Sequence, residues 1–252
     1  MKIYLPHNIF TTIFATFLKQ QKISFEFQPS ALLTSAFRKD QGSCALIPVM
    51  DLLKHDELFV SSRYGLSFDG PISNSYIYYK KEKQDTLERI RLFGDISSQE
   101  AVLTNIMFKE LYDAEVKMEI AREFTKLGDE NYLLAGDINF SHSKMLEGFS
   151  FAEEIMEITE LPYVNYILAA EDNELLERAN KMLTGAGDFL KENTESFNFA
   201  PGWEPEMKDK ILENAVNFIF DFDESDIEGV KSQLRMAFFY GISEEIVEPK
   251  FV

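Results

Sequence analysis

Leu66-Ser67-Phe68-Asp69-Gly70-Pro71-Ile72-Ser73-Asn74-Ser75 carries a strong turn signal at its centre. Asp69 can bond its own backbone two residues on, Gly70 accepts a positive φ, and Pro71 fixes φ and donates no hydrogen bond. A strand-like run, Tyr76-Ile77-Tyr78-Tyr79, follows at once. Between turn and strand lie Ser73, Asn74 and Ser75, small donors and acceptors placed where a loop meets a ligand. Spacing alone favours a plainer reading, a solvated hairpin corner.

Before this stretch the chain alternates strand and helix. Lys2 to Leu5 reads as a strand, and Asn8 as the cap of a helix from Ile9 to Gln21. Ile23 to Phe27 alternates with period two, Ala31 to Lys39 reads as a helix, and Cys44 to Val49 as a buried strand. A short helix over Asp51 to His55 and a strand at Leu58-Phe59-Val60 complete the run. This rhythm predicts an α/β fold of mainly parallel sheets with flanking helices. Ligands bind such sheets at the carboxyl ends of the strands. That places the loops His7 to Ile9, Pro48 to Asp51 and Asp69 to Ser75 on one rim.

The rhythm restarts with strands at Arg89 to Phe93, Val116 to Ile120, Tyr132 to Ala135 and Tyr163 to Leu168. Helices are expected from Gly94–Glu100 to Tyr112 and from Phe151 to Thr159. A second sheet implies a second lobe. The expected division is residues 1–79 and 170–252 in lobe 1 and 80–169 in lobe 2, with the ligand cleft between them. Crossovers are expected near Tyr76 to Lys81 and Tyr163 to Ala170. After Ala170 the chain reads as helical to its end: Asn173 to Glu192, Glu204 to Phe220 and Glu224 to Tyr240. The stripe Ile227, Val230, Leu234, Ala237 and Phe238 has helical spacing and reads as core.

Composition narrows the function. The 252 residues are 45% hydrophobic, enough for a large core, and include 23 phenylalanines. A net charge of -18, from 43 acidic and 25 basic residues, repels nucleic acid and anionic membrane. Arg63, Lys80, Lys81, Lys83, Arg89 and Arg91 cluster in sequence and read as a solvated face. The lone Cys44 rules out an intramolecular disulfide and reads as a core thiol. His7, His55 and His142 show no zinc-ligand spacing, so no metal is expected. The apolar run Ile9 to Leu18 follows a single lysine and is succeeded by Lys19-Gln20-Gln21-Lys22. It reads as an ordinary first helix, and the protein is expected to be cytoplasmic, without membrane insertion.

Four motifs occur in the order and rough spacing of the menaquinone-biosynthesis chorismate dehydratase family. They are Ala45-Leu46-Ile47-Pro48, Asp69-Gly70-Pro71-Ile72, Leu134-Ala135-Gly136-Asp137 and Thr159-Glu160-Leu161-Pro162-Tyr163-Val164. Ile227-Glu228-Gly229 and Phe239-Tyr240-Gly241 look similar too, so the resemblance covers most of the chain. It implies a two-lobed, periplasmic-binding-protein type II fold. It also implies an enzyme of the futalosine route that dehydrates chorismate, a dianion, to 3-enolpyruvylbenzoate. No cofactor is implied, because aromatisation drives that reaction.

The chain departs from the family at its active-site positions. The family's Ser-Tyr-Leu-Asn segment aligns with His7-Asn8-Ile9-Phe10, which puts the amide at Asn8. Val49 stands where the family has Ser, and Asn74, between Ser73 and Ser75, replaces the Ser of Asp-Gly-Pro-Val-x-Ser. The family's carboxylate-holding cluster becomes Ser97-Ser98-Gln99-Glu100-Ala101. A helix N-terminus is a ready anion site, and Glu100 fills its field with a fixed negative charge. Ser97 with Glu100 reads as a capping pair; otherwise Glu100 selects a neutral or cationic ligand. Asp137 reads as a cap or a cleft residue, Asp69 as a turn former, and His7 as the rim's acid–base candidate. The expected catalytic residues are therefore His7, Asn8 and Asn74. Val49, Asp69, Ser73, Ser75, Ser97, Ser98, Gln99, Glu100 and Asp137 are the expected ligand-binding residues. Two functions follow: a chorismate dehydratase-like lyase, or a non-catalytic small-molecule-binding protein of the same fold.

Overall fold

A computed structural model describes residues 1–80, 87–124, 126–140, 148–193 and 205–252. Lys81, Lys83, His142 and the helix start expected at Glu204 lie outside the described residues.

The first half runs β1 (Lys2–Pro6), α1 (Ile9–Gln20), β2 (Ser24–Gln28), α2 (Leu33–Phe37), β3 (Cys44–Pro48) and β4 (Phe59–Phe68). The chain continues through β5 (Ser75–Tyr78), β6 (Arg89–Gly94), α3 (Ser98–Tyr112), β7 (Lys117–Ile120) and β8 (Tyr132–Ala135). Next come β9 (Phe149–Ser150), α4 (Phe151–Thr159) and β10 (Tyr163–Ala170). It ends with α5 (Asn173–Met182), α6 (Ala186–Glu192), α7 (Pro205–Glu213), β11 (Phe218–Asp221), α8 (Glu224–Phe239) and β12 (Lys250–Phe251).

Two sheets result, one per lobe. The larger has the order β11-β4-β10-β3-β1-β2, with β12 also on β4. The smaller has the order β7-β6-β8-β5-β9. Their wiring repeats: β1 pairs parallel with β2 and β3, and β6 pairs parallel with β7 and β8. In each sheet the fourth strand is the one the chain enters on crossing from the other lobe. β10 runs antiparallel to β3 and β4, and β5 runs antiparallel to β8 and β9.

That exchange corrects two expectations. The sheets are mixed rather than mainly parallel, because each lobe borrows a strand of opposite direction. The borrowed strands also move the divisions drawn at residues 79/80 and 169/170. Ser75–Tyr78 lies in the small sheet and Tyr163–Ala170 in the large one, so the chain crosses at 69–74 and 160–162. The Asp69-Gly70-Pro71 turn is accordingly a passage between sheets, not a hairpin corner. Gly70 has φ +154°, and a Cβ there would meet Asn217 Cγ at 2.8 Å.

Other elements shift for local reasons. The strand expected at Leu58–Val60 runs on to Phe68 as β4. The helix expected over Ala31–Lys39 is a 3₁₀ turn (Ser30–Leu32) followed by α2. Gly185, at φ +86°, divides the helix expected from Asn173 to Glu192. The end of the predicted 204–220 helix is the strand β11, and β12 adds a second strand to a tail expected to be helical.

β10 is buried along its whole length and forms the spine of the large sheet. Phe10, Phe14 and Phe17 of α1 pack into the same core, with Phe14 stacked on Phe220 at 4.8 Å. Cys44 is buried there, and desolvation pushes its thiol up to about 12. Among the described residues no helix is long and apolar enough to cross a membrane.

Candidate functional site

The loops at the carboxyl ends of both sheets meet between the lobes. β1 delivers His7 and Asn8 to the start of α1. Asn8 caps that helix: its Oδ1 accepts from Thr11 N at 3.0 Å, and its own N–H donates to Thr11 Oγ1 at 3.4 Å. The first turn of α1 contains no acidic residue. Asp137 of the other lobe supplies the carboxylate, with Ile9 N donating to its Oδ1 at 2.7 Å. His7 is exposed on the rim, its ring 4.8 Å from that of Phe27.

α3 begins in the second lobe at the equivalent place. Ser97 and Glu100 form the capping box that their spacing predicts. Glu100 Oε2 accepts from Ser97 N at 2.9 Å and from Ser97 Oγ at 2.6 Å, and Oε1 accepts from Ser75 Oγ at 3.0 Å. The side chain is 0% exposed. Burial raises its carboxyl above the ordinary value, against the Ser97 and Ser75 hydrogen bonds, which lower it.

Further bonds cross between the lobes here. Ser98 Oγ donates to Asp51 Oδ1 at 2.6 Å, and Met50 N donates to Gln99 Oε1 at 3.0 Å. Gln99 Nε2 donates to Val164 O at 2.9 Å. Ser30 N and Oγ donate to the two oxygens of Asp95 at 2.9 and 2.6 Å, and the Tyr166 hydroxyl lies 2.7 Å from Ser30 Oγ. These contacts hold the lobes closed on one another.

The passage from β4 to β5 forms the back wall. The backbone C=O of Asn74 accepts from Gly136 N at 2.8 Å and Asn139 Nδ2 at 3.2 Å. Its side chain is fully buried, and neither Oδ1 nor Nδ2 has a partner. Asn8 Nδ2 and Asn165 Oδ1 are likewise buried and unpartnered. Asn165 Nδ2 donates to Tyr163 Oη at 3.0 Å. Aromatic rings line the same region: Phe10 lies 4.9 Å from Phe68 and 5.8 Å from Phe140, and Phe140 lies 6.1 Å from Tyr76.

The sequence-predicted residues thus divide. Ser98 and Asp137 bond across to the opposite lobe, Asn8 and Ser97 cap α1 and α3, Ser75 bonds Glu100 behind Ser97, and Asn74 is buried in the passage between the sheets. Ser73 Oγ accepts from Ser75 N and braces the wall. Val49 is buried core, and Gln99 is spent on the backbone of Met50 and Val164 and on the Gln233 side chain. Asp69 is exposed and its N–H is tied to Asn217 O, which makes it a turn residue outside the site. Sequence reasoning missed Ser30, Asp51, Asp95, Asn165 and Tyr166. Ser30 and Asp95 follow β2 and β6, and that position at a strand's carboxyl end was the available signal. Among the described residues no group of three or more His, Cys, Asp or Glu side chains is arranged to hold a metal ion.

No known family profile matches the sequence, and no curated protein does. Solved structures do. The alkanesulfonate-binding protein SsuA from Xanthomonas axonopodis pv. citri, bound to MOPS, superposes with a TM-score of 0.63 at 10% identity, covering 100% of this chain and 97% of that one. The periplasmic aliphatic sulphonate-binding protein SsuA from Escherichia coli gives 0.63 at 10% identity, covering 100% and 93%. YhfZ from Shigella flexneri gives 0.50 at 14% identity, covering 79% and 93%. With its exchanged strands and facing helix N-termini, the chain has the two-lobed α/β fold of the type II periplasmic binding proteins.

Proposed function

We propose that this protein binds a small molecule between its lobes without transforming it, at a site built around Asn8, Asn74 and Asp137. The observation that carries the reading is a set of orphaned amide atoms on the segments where the two lobes come together. Asn74 Oδ1 and Nδ2, Asn8 Nδ2 and Asn165 Oδ1 are buried without partners. A buried unpaired polar group costs about 1–3 kcal/mol, so such atoms on these segments are where a ligand's polar groups would be met when the lobes part. The fold neighbours named for sulfonate binding also take small molecules.

Chorismate dehydration fits this cleft less well. A dianion needs positive partners, and the α3 N-terminus that would receive a carboxylate is filled by Glu100. His7, the acid–base candidate, stands exposed against Phe27.

A thermal-shift screen against a metabolite panel that includes chorismate tests the proposal, paired with an assay for 3-enolpyruvylbenzoate. A rise in Tm that Asn74→Ala abolishes, with no product from chorismate, is the expected result. Product formation would restore the lyase reading. A flat response to every compound would remove both.

A further inference from the structure

A cavity of about 470 Å³ lies beside the C-terminal half of α3, at the opposite end of that helix from the Ser97–Glu100 box. Its lining comes from α3, from the segment Ala114 to Lys117 that leads into β7, and from Tyr240 and Ile242 just past α8. α3 joins β6 and β7 of the small sheet, and α8 follows β11 of the large one. A molecule seated here therefore touches both lobes. Ile106 and Val116 are buried and give the cavity an apolar lining, which the half-buried Tyr240 and the exposed Ile242 extend. Apolar walls with a few polar groups, at this volume, are the usual make-up of a small-molecule site.

The charges on the lining do not cancel. Lys109 and Lys117 stand against the single carboxylate of Glu115. Lys117 pairs with Glu119, which is not on the lining, at 2.9 Å. Lys109 makes no ion pair among the described residues. Its Nζ lies 5.7 Å from the centre of the Tyr240 ring, and a ring face attracts an ammonium without neutralising it. Lys109 also sits in the last turn of α3, whose negative end carries only a partial charge. That end is already met by Ala114 N, which donates to Phe108 O at 3.1 Å. In a chain of net charge -18, an ammonium without a counter-charge at the mouth of an apolar cavity points to an anion that is brought in.

We infer that this cavity is a second ligand site, for a small monocarboxylate with an apolar or aromatic body. Its carboxylate is taken by Lys109. The exposed Asn105, four residues earlier on the same face of α3, supplies an amide donor beside it. Its body lies against Ile106, Val116, Tyr240 and Ile242. A lining with one positive charge in excess suits a ligand with one negative charge rather than two. Asn8, Asn74 and Asp137 are not part of this lining, so the inference goes beyond the inter-lobe reading and stands without it.

The test uses the full chain and probes alike in shape: phenylacetate, 2-phenylethanol and phenethylamine, with acetate as the charge without the body. At millimolar concentration phenylacetate should raise Tm by about 2–4 °C, and the three controls should not. Lys109 is exposed on its helix, so Lys109→Gln keeps the fold and loses the charge, and its response to phenylacetate should vanish. Ala114→Phe fills the cavity and leaves the lysine in place, and it should lose the response too. The matched probes on the unaltered protein decide the matter even where Ala114→Phe fails to fold. A control that stabilises as well as phenylacetate overturns the inference. So does either variant, once folded, that responds as the unaltered protein does, because the acid then binds elsewhere. No rise with any probe overturns it as well. None of these results bears on the inter-lobe reading, which is judged by the metabolite panel and Asn74→Ala.

Discussion

α1 and α3 hold equivalent places in two sheets of repeated strand order, yet the carboxylate at each N-terminus comes from a different part of the chain. α3 carries its own, Glu100, three residues past its cap. α1 has no acidic residue in its first turn and borrows Asp137 from the opposite lobe. A charge supplied within the helix stays when the lobes part; one supplied across the cleft leaves. Opening the cleft therefore bares the α1 terminus and frees Asp137 together, while the α3 terminus stays neutralised. The bonds that hold the closed form lie mainly beside α3, at Ser98–Asp51, Gln99–Met50 and Asp95–Ser30.

The largest expected effect tests how far the repeat extends. β1 ends in Pro6 and β6 in Gly94 before their helices begin. Gly94 has φ +99°, and a Cβ there would lie 2.1 Å from Ala135 O. Gly94→Ala should cost about 3 kcal/mol or more in urea unfolding. Pro6→Ala at the equivalent place should cost about 1 kcal/mol or less, chiefly through the unfolded chain. Equal costs would mean that the two strand ends are under the same constraint.

The next effect concerns the cross-lobe bonds. Asp95→Ala strands the backbone N–H of the buried Ser30 and leaves its hydroxyl only the Tyr166 oxygen, while Asp137→Ala frees one backbone N–H of α1. Hydrogen bonds to charged groups contribute about 1.5–3 kcal/mol each, less where water reaches them. Asp95→Ala should therefore cost about 2–3 kcal/mol and Asp137→Ala about 1 kcal/mol. The double variant should expand in small-angle scattering. A compact double variant would show that packing and the remaining Ser98–Asp51 and Gln99 bonds suffice to hold the lobes.

What sequence reasoning reached and what it missed divide along the same line. Local chemistry was legible: the Ser97–Glu100 box, the Asn8 cap and the Asp69-Gly70-Pro71 turn all depend on neighbours a few residues apart. Contacts in space were not. Nothing in a turn says whether the next strand joins the same sheet, so the passage at 69–74 read as a hairpin corner. Asp137 could be named as a cap, but its partner Ile9 lies 128 residues away. Phe218-Ile219-Phe220-Asp221 was too short for its period to separate strand from helix. Its strand state is settled by β4 beside it, and by Phe10 and Phe14 of α1, against which Phe218 and Phe220 pack.

Glu100→Gln probes the permanent charge. Glutamine at this position keeps the capping box, so the helix should remain. The wild-type carboxyl is raised by burial, so the folded chain holds its proton more tightly than the unfolded chain does. Wild-type stability should then fall as pH rises from the ordinary carboxylate value through the raised one. Glutamine does not titrate, so the variant should gain on the wild type as pH rises over that window. A difference that is flat with pH would mean that the Ser75 and Ser97 hydrogen bonds fully compensate the burial.

The smallest effect lies at the rim. His7 is exposed and its ring lies tilted against Phe27, so His7→Ala should change stability by less than about 0.5 kcal/mol. Its informative readout is Asp137. The His7 charge opposes the rise that burial imposes on that carboxyl. Removing it should move the Asp137 titration upward in carbon-detected NMR while leaving Glu100 where it was. If His7 were the acid–base group of a reaction, its loss would abolish turnover. If it only tunes the borrowed cap, ligand-induced stabilisation survives and its pH dependence follows Asp137. An unmoved Asp137 would leave the rim without influence on either carboxylate. A shifted one would make the α1 end of the cleft the end that pH can adjust, because Glu100 is sealed among hydroxyls and backbone and has no such neighbour.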